Sequence, residues 1–155
     1  MTATTENGAL ITSAMVDLDL EATTKDEATR HLAELLVAEG RINDLDGFLA
    51  DVRAREAQMA TGLEGGIGIP HCRSEHVTVP TVAFGRSDDG VDYGAADGPA
   101  HLIFLIAAPA GADSAHLKIL AALARRLVRA EFKDNLRAAT DPAAVADYIR
   151  TEVTP

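Results

Sequence analysis

His101-Leu-Ile-Phe-Leu-Ile-Ala-Ala108 is an almost unbroken apolar run, stopped by Pro109-Ala-Gly111. Eight residues with so little polar interruption are what a central strand needs when both its faces are covered. His101 is the leading edge of that strand and reads as structural. Downstream, Asp113 or Ser114 is placed to cap a helix whose apolar face is Leu117, Leu120, Ala121, Ala124, Leu127 and Val128. Phe132 to Ala138 reads as a short helix. Asp141 then caps a last one, with Pro142 at the first helical position and Val145, Tyr148 and Ile149 facing inward.

Upstream, Val77 to Gly85 predicts a strand beginning near Pro80, followed by a turn at Ser87-Asp-Asp-Gly90 and a short strand at Val91-Asp-Tyr93. Ala9 to Leu20 reads as a strand leading into a connection. Thr24-Lys-Asp-Glu27 has the form of a capping box, and Ala28, Leu32, Leu35 and Leu36 follow helical spacing up to Gly40. A second helix is predicted with Asn43 as its N-cap and Leu45, Phe48, Leu49, Val52 and Met59 on its apolar stripe. Arg55 falls at the edge of that stripe and Glu56 near its centre. A guanidinium there needs a carboxylate, a carbonyl or a bound anion, and Glu56 and Asp51 are the local candidates. Strands interleaved with helices predict an α/β layered domain.

At 155 residues the chain suits one domain, with 47% hydrophobic and 25% charged residues. The 24 acidic and 14 basic residues give a net charge of −10. That field disfavours nucleic acid and anionic membrane surfaces, and suits either a basic protein patch or a merely solvated surface. One cysteine makes no internal disulfide. The N-terminus has no basic and apolar leader, and no apolar run approaches a membrane span. These features predict a cytoplasmic domain over 9–151, with a frayed 1–8 and a tail or linker start at 152–155.

The chemistry gathers in Thr61-Gly-Leu-Glu-Gly-Gly-Ile-Gly-Ile-Pro-His-Cys-Arg-Ser74, which holds four glycines, a proline, a histidine, the lone cysteine and an arginine. Ile67 and Ile69 form a short strand-like run that Pro70 ends, placing His71 where a strand gives way to a loop. Three readings are open. His71, Cys72 and His76 are metal ligands by type, although adjacent ligands are awkward and no second cysteine completes a motif. Cys72 is a candidate nucleophile, although nothing marks a group that would orient its base. A neutral imidazole is itself a nucleophile near pH 7, and phosphoryl transfer then needs chiefly positioning and charge stabilisation. Gly65 to Gly68, Arg55 or Arg73, and the helix start at Ser114 to His116 supply residue types for both, so the residues favour this third reading.

Gly66-Ile-Gly-Ile-Pro-His71 resembles the active-site segment of the phosphotransferase system enzyme IIA domains of the fructose–mannitol class. The likeness runs over nearly the whole chain. It includes Arg55-Glu56 ahead of the loop, the Val91-Asp-Tyr-Gly94 turn, the Leu102 to Pro109 strand and a helix opening His116-Leu-Lys-Ile-Leu120. The resemblance implies a mixed β-sheet flanked by helices. It implies that His71 takes a phosphoryl group on Nε2 from the phosphocarrier HPr and passes it to the cysteine of a IIB domain, with no metal and no bound cofactor. It also implies that His116 is a second active-site histidine and that Arg55 neighbours the phosphate. Gly66, Gly68, Arg73 and Ser114 are the further phosphate-binding candidates. A shallow apolar patch is expected around His71, where two partners must reach one atom. Gly68 stands where relatives often have alanine, and Cys72 where many have glycine. The local segments look most like fructose-specific members, often fused to IIB and membrane IIC domains. Some relatives instead carry the phosphate as regulators of other proteins.

Overall fold

The computed structural model describes residues 9–111 and 115–153, with the side chains of Ala115 and His116 outside that description. After a 3-10 turn at Ser13–Met15 come β1 (Val16–Asp17), α1 (Lys25–Ala38), α2 (Leu45–Gln58), β2 (Gly62–Leu63), β3 (Ile67–Gly68) and β4 (His71–Ser74). The rest is β5 (Thr81–Val91), β6 (Ala100–Pro109), α3 (Ala115–Leu127), α4 (Ala130–Ala138) and α5 (Pro142–Val153). The six strands form one mixed sheet in the order β1-β5-β6-β3-β2, with β4 also paired to β6. The predicted α/β mixed sheet with flanking helices is therefore present.

Position in the sheet explains the apolar run. β6 is antiparallel to β5 on one side, and on the other it is parallel first to β3 and then to β4. Leu102 through Ala108 are all buried. Helices α1 and α2 pack together on one face, and α3, α4 and α5 on the other. Alternation along the strands divides the core. Phe84 meets Phe104 at a tilt, Phe104 stacks on Phe132 of α4, and Phe132 on Tyr148 of α5, with ring centroids 5.0, 6.4 and 5.4 Å apart. On the other face Gly85 gives way to Leu20 and Leu32, where an added Cβ would come within 2.9 Å.

The capping box forms as read. Thr24 Oγ1 accepts from the Glu27 amide, and Glu27 Oε1 accepts from the Thr24 amide. Three boundaries differ from expectation. The cap of α2 is Asp44, which accepts from Gly47 N at 3.1 Å; Asn43, one residue outside the helix, donates its backbone amide to the His76 carbonyl. Ser87 to Gly90 is a bulge inside β5 and not its end: the register with β6 shifts between Arg86 and Val91, and Ser87 Oγ accepts from Gly90 N. Ala9 to Leu20 holds only the 3-10 turn and a two-residue strand. The predicted cap of α3 at Asp113 or Ser114 lies outside the described residues. Arg86 closes α4: its Nη1 donates to the carbonyls of Leu136, Arg137 and Ala139 and its Nε to that of Leu18, so carbonyls left over at a helix end are satisfied. No helix of the described residues is long and apolar enough to cross a membrane.

Gly68 carries a stability prediction. A Cβ there would lie 2.8 Å from Tyr93 Cδ2 and 3.3 Å from Ala100 Cβ. Tyr93 is buried and shares a 2.8 Å hydrogen bond with Thr29, so its ring cannot move without loosening that bond. A 240 Å³ cavity between α1 and α2 beside Tyr93 gives the ring somewhere to go. Overpacking of this kind costs about 1–3 kcal/mol, against about 0.4–1 kcal/mol gained by restricting the unfolded chain. Gly68→Ala is expected to lower the thermal midpoint by a few degrees; an unchanged midpoint would show that Tyr93 yields freely.

Candidate functional site

The site begins with the break at Pro70. Proline has no amide to give a ladder, so β3 stops at Gly68, and the chain rejoins β6 as β4. The Pro70 carbonyl accepts from Ile106 N at 3.0 Å, and His71, Cys72, Arg73 and Ser74 register with Ile106, Ala107, Ala108 and Pro109. His71 is thus the first residue of a strand, where a loop was expected. α2 packs along β4 and brings Asp51 and Arg55, one turn apart, to its edge.

Two hydrogen bonds decide the state of the imidazole. His71 Nδ1 lies 2.9 Å from the Ile69 carbonyl oxygen, which can only accept, so Nδ1 carries the proton. Arg55 donates its Nε–H to His71 Nε2 at 3.4 Å. In the neutral ring, Nε2 therefore holds the lone pair, and a guanidinium faces it.

A depression of about 480 Å³ opens at this edge, walled by Asp51, Arg55, Gln58, His71, Arg73 and Glu75 among others. Its lining is charged, so the apolar patch expected here is not found immediately around His71; strand edge and helix face both present polar side chains. Arg55 resolves its sequence ambiguity in favour of the histidine. Besides His71 it donates only to Gln58 Oε1, at 3.2 Å, and no carboxylate pairs with it among the described residues. Glu56 is engaged elsewhere, accepting from Thr61 N and Oγ1 and lying 3.7 Å from Lys25 Nζ. Asp51 accepts from Ser74 Oγ at 2.6 Å. Arg73 is exposed on the wall of the depression.

Cys72 is buried beneath it, and burial, reinforced by the negative charge of Asp51, pushes its thiol up from 9.0 to about 12. A thiol held protonated in this way is a poor nucleophile at neutral pH, which removes the thiol reading. The shift has a consequence for folding. The unfolded chain releases this proton first, so the contribution to stability is intact below pH 9 and is lost as pH climbs towards 12. Between pH 8 and pH 10 the wild type is expected to lose about 1 kcal/mol more than Cys72→Ala. Urea melts at the two pH values measure the difference, and equal losses would mean that the thiol ionises as easily folded as unfolded.

The structure does not bring Gly66 and Gly68 to His71. Gly66, at φ +79°, accepts from His101 N and Leu102 N at the far end of β6, roughly 15 Å along the strand from Ile106. Gly65 donates to Asp97 and accepts from Arg137. Gly68 faces Tyr93. These glycines build a turn and a close packing contact away from the imidazole. His76 lies aside, with Nδ1 3.9 Å from Asp44, and His71, Cys72 and His76 form no ligand set: no group of three metal-binding side chains occurs among the described residues. His116 starts α3, but its side chain, like the whole of Ser114, lies outside the described residues. Sequence reasoning missed the Ile69 carbonyl, which leaves no trace in a side-chain pattern, and the hydrogen bond between Ser74 and Asp51.

Residues 9–152 match the family described as phosphoenolpyruvate-dependent sugar phosphotransferase system, EIIA 2. The chain is 39% identical over 136 residues to the fructose-specific EIIA component of Haloferax volcanii, covering 87% of this chain and 88% of that one. It is 39% identical over 141 residues to the fructose-specific EIIABC component of Bacillus subtilis, covering 90% of this chain but only 22% of that longer protein. Among solved structures it superposes on the nitrogen regulatory protein IIA-Ntr of Neisseria meningitidis with a TM-score of 0.82 and 28% identity, covering 90% of this chain and 96% of that one. Sheet order, histidine, arginine and these matches agree: the chain belongs to the EIIA type-2 family and is a phosphotransferase component of the phosphoenolpyruvate-dependent sugar phosphotransferase system.

Proposed function

We propose that His71 Nε2 is the phosphoryl acceptor, loaded by phosphorylated HPr and unloaded by the cysteine of a IIB domain in the uptake of sugar, with fructose as the favoured one. The observation that carries this is the pair of hydrogen bonds that leaves Nε2 without a proton and turns its lone pair towards Arg55. In the loading step that lone pair forms a bond to phosphorus while the donor's phosphorus–nitrogen bond breaks, and its electron pair returns to the HPr ring. The proton stays on Nδ1, donated to the Ile69 carbonyl, so the phosphorylated ring is cationic and a good leaving group. Arg55 loses its acceptor when Nε2 is consumed, and its donors turn to the phosphoryl oxygens. Arg73, on the same wall, adds a second positive charge, and His116 is assigned the second-histidine role. In unloading, the IIB thiolate attacks phosphorus and the electron pair returns to Nε2. Likeness to two fructose-specific relatives supports the sugar assignment.

Incubating the chain with phosphoenolpyruvate, enzyme I and HPr is expected to add one acid-labile phosphate, read by mass spectrometry at alkaline pH. No added phosphate with active upstream proteins would overturn the proposal. A second reading, regulation without sugar transport, is favoured by the likeness to a nitrogen regulatory protein. Failure of the phosphorylated chain to load any fructose-type IIB domain would select it.

A further inference from the structure

Side-chain hydrogen bonds join α2 to β4, and two of them meet at the site. One is the 3.4 Å contact between Arg55 and His71; the other is the 2.6 Å bond from Ser74 Oγ to Asp51 Oδ2. The first is long for a nitrogen donor, and the second has the length of a charge-assisted bond between a hydroxyl and a carboxylate. Ser74 is 2% exposed, and its hydroxyl also accepts from His76 N at 3.1 Å, which fixes the direction in which its proton points. Asp51 sits one helical turn before Arg55, and Ser74 three residues after His71. The short bond therefore ties the element carrying the guanidinium to the element carrying the imidazole, directly beside the contact that matters.

We infer that Asp51 and Ser74 are positioning residues for phosphoryl transfer: their hydrogen bond holds α2 against β4 so that Arg55 stays within reach of Nε2. The inference rests on His71 being the acceptor. What it adds is that Asp51 acts through Arg55 by hydrogen bonding, not through its charge. A misplacement of about 1 Å at such a site costs one to two orders of magnitude in rate.

The test uses the full chain and phosphoramidate as a small phosphoryl donor. Nε2 takes the phosphoryl group as the donor's phosphorus–nitrogen bond breaks, and ammonia leaves after protonation by water. The rate of label uptake is followed by mass spectrometry. Asp51→Ala and Ser74→Ala are each expected to slow uptake about 10-fold. Asp51→Asn, whose amide oxygen still accepts from Ser74, should stay within about 3-fold of the wild type. In an Arg55→Ala background, Asp51→Ala should cost nothing further, since the group it positions is gone. Should Ser74→Ala fail to fold, the Asp51 variants carry the comparison, because alanine and asparagine at that half-buried helix position leave the fold intact. Wild-type rates in the alanine variants would overturn the inference. So would equal effects of asparagine and alanine, or additive losses with Arg55→Ala. A wild-type chain labelled by phosphoramidate but not by HPr would overturn the proposed function and leave this inference standing. No labelling by either donor would overturn both.

Discussion

His71→Gln is expected to take no phosphate, with acceptance from HPr at least about 10³-fold below the wild type. Glutamine is close to histidine in size and can hydrogen-bond to Ile69 or Arg55. Its amide nitrogen, however, has no free lone pair, and its oxygen is not a competent nucleophile. The wild-type ring offers a nitrogen whose lone pair is directed outward because the other nitrogen is committed to a carbonyl. His71 is only half-buried, so the variant should fold with a nearly unchanged thermal midpoint. Mass spectrometry at alkaline pH reads the result. Label retained at another residue would move the acceptor elsewhere and leave His71 as a bystander.

Arg55→Ala is expected to slow acceptance about 10²-fold while leaving His71 chemically able to react. The phosphoryl group brings negative charge to a depression that already contains Asp51 and Glu75, so a cation facing Nε2 is needed in the transition state. Arg55 meets that need without a competing carboxylate, since its other donor goes to the neutral Gln58. Arg55→Lys should recover only part of the loss. Its ammonium keeps the charge but lacks the planar fork that can hold two phosphoryl oxygens. Single-turnover mixing with phosphorylated HPr measures both, and a wild-type rate in Arg55→Ala would reduce the guanidinium to a surface group.

The layered fold was legible because its strongest signals are local. The run from Leu102 to Ala108 states burial on both faces, and Thr24 with Glu27 states a helix start in four residues. Boundaries set by distant partners were not legible. Asn43 lies outside the helix that Asp44 caps, bonded through its backbone to distant His76, and Ser87 to Gly90 looks like a turn until β6 runs past it. The site divides the same way. His71 stood out through its proline and glycine setting, and Arg55 through its poor fit to an apolar stripe. That the two meet depends on α2 packing along β4, which no spacing of sixteen residues reveals. At Gly66 and Gly68 the sequence is ambiguous, because a glycine needed for a turn or a close ring contact is written like one needed for a phosphate. The charged depression around His71 also defied expectation, since the pattern of a four-residue edge strand is too short to show which side chains face outward.

His71 is fastened into the ladder of β6, the most deeply covered strand of the sheet, by the Pro70 carbonyl on one side and the register of β4 on the other. The proposed acceptor, mounted that way, cannot swing on an arm between a loading dock and an unloading dock. On the proposed function, donor and recipient must occupy one footprint in turn, and each must leave before the other arrives. Ping-pong kinetics are then expected, with spent HPr competing against the IIB domain for the same surface. Throughput is then governed by how fast partners let go, and a tighter grip on either one would make the relay slower.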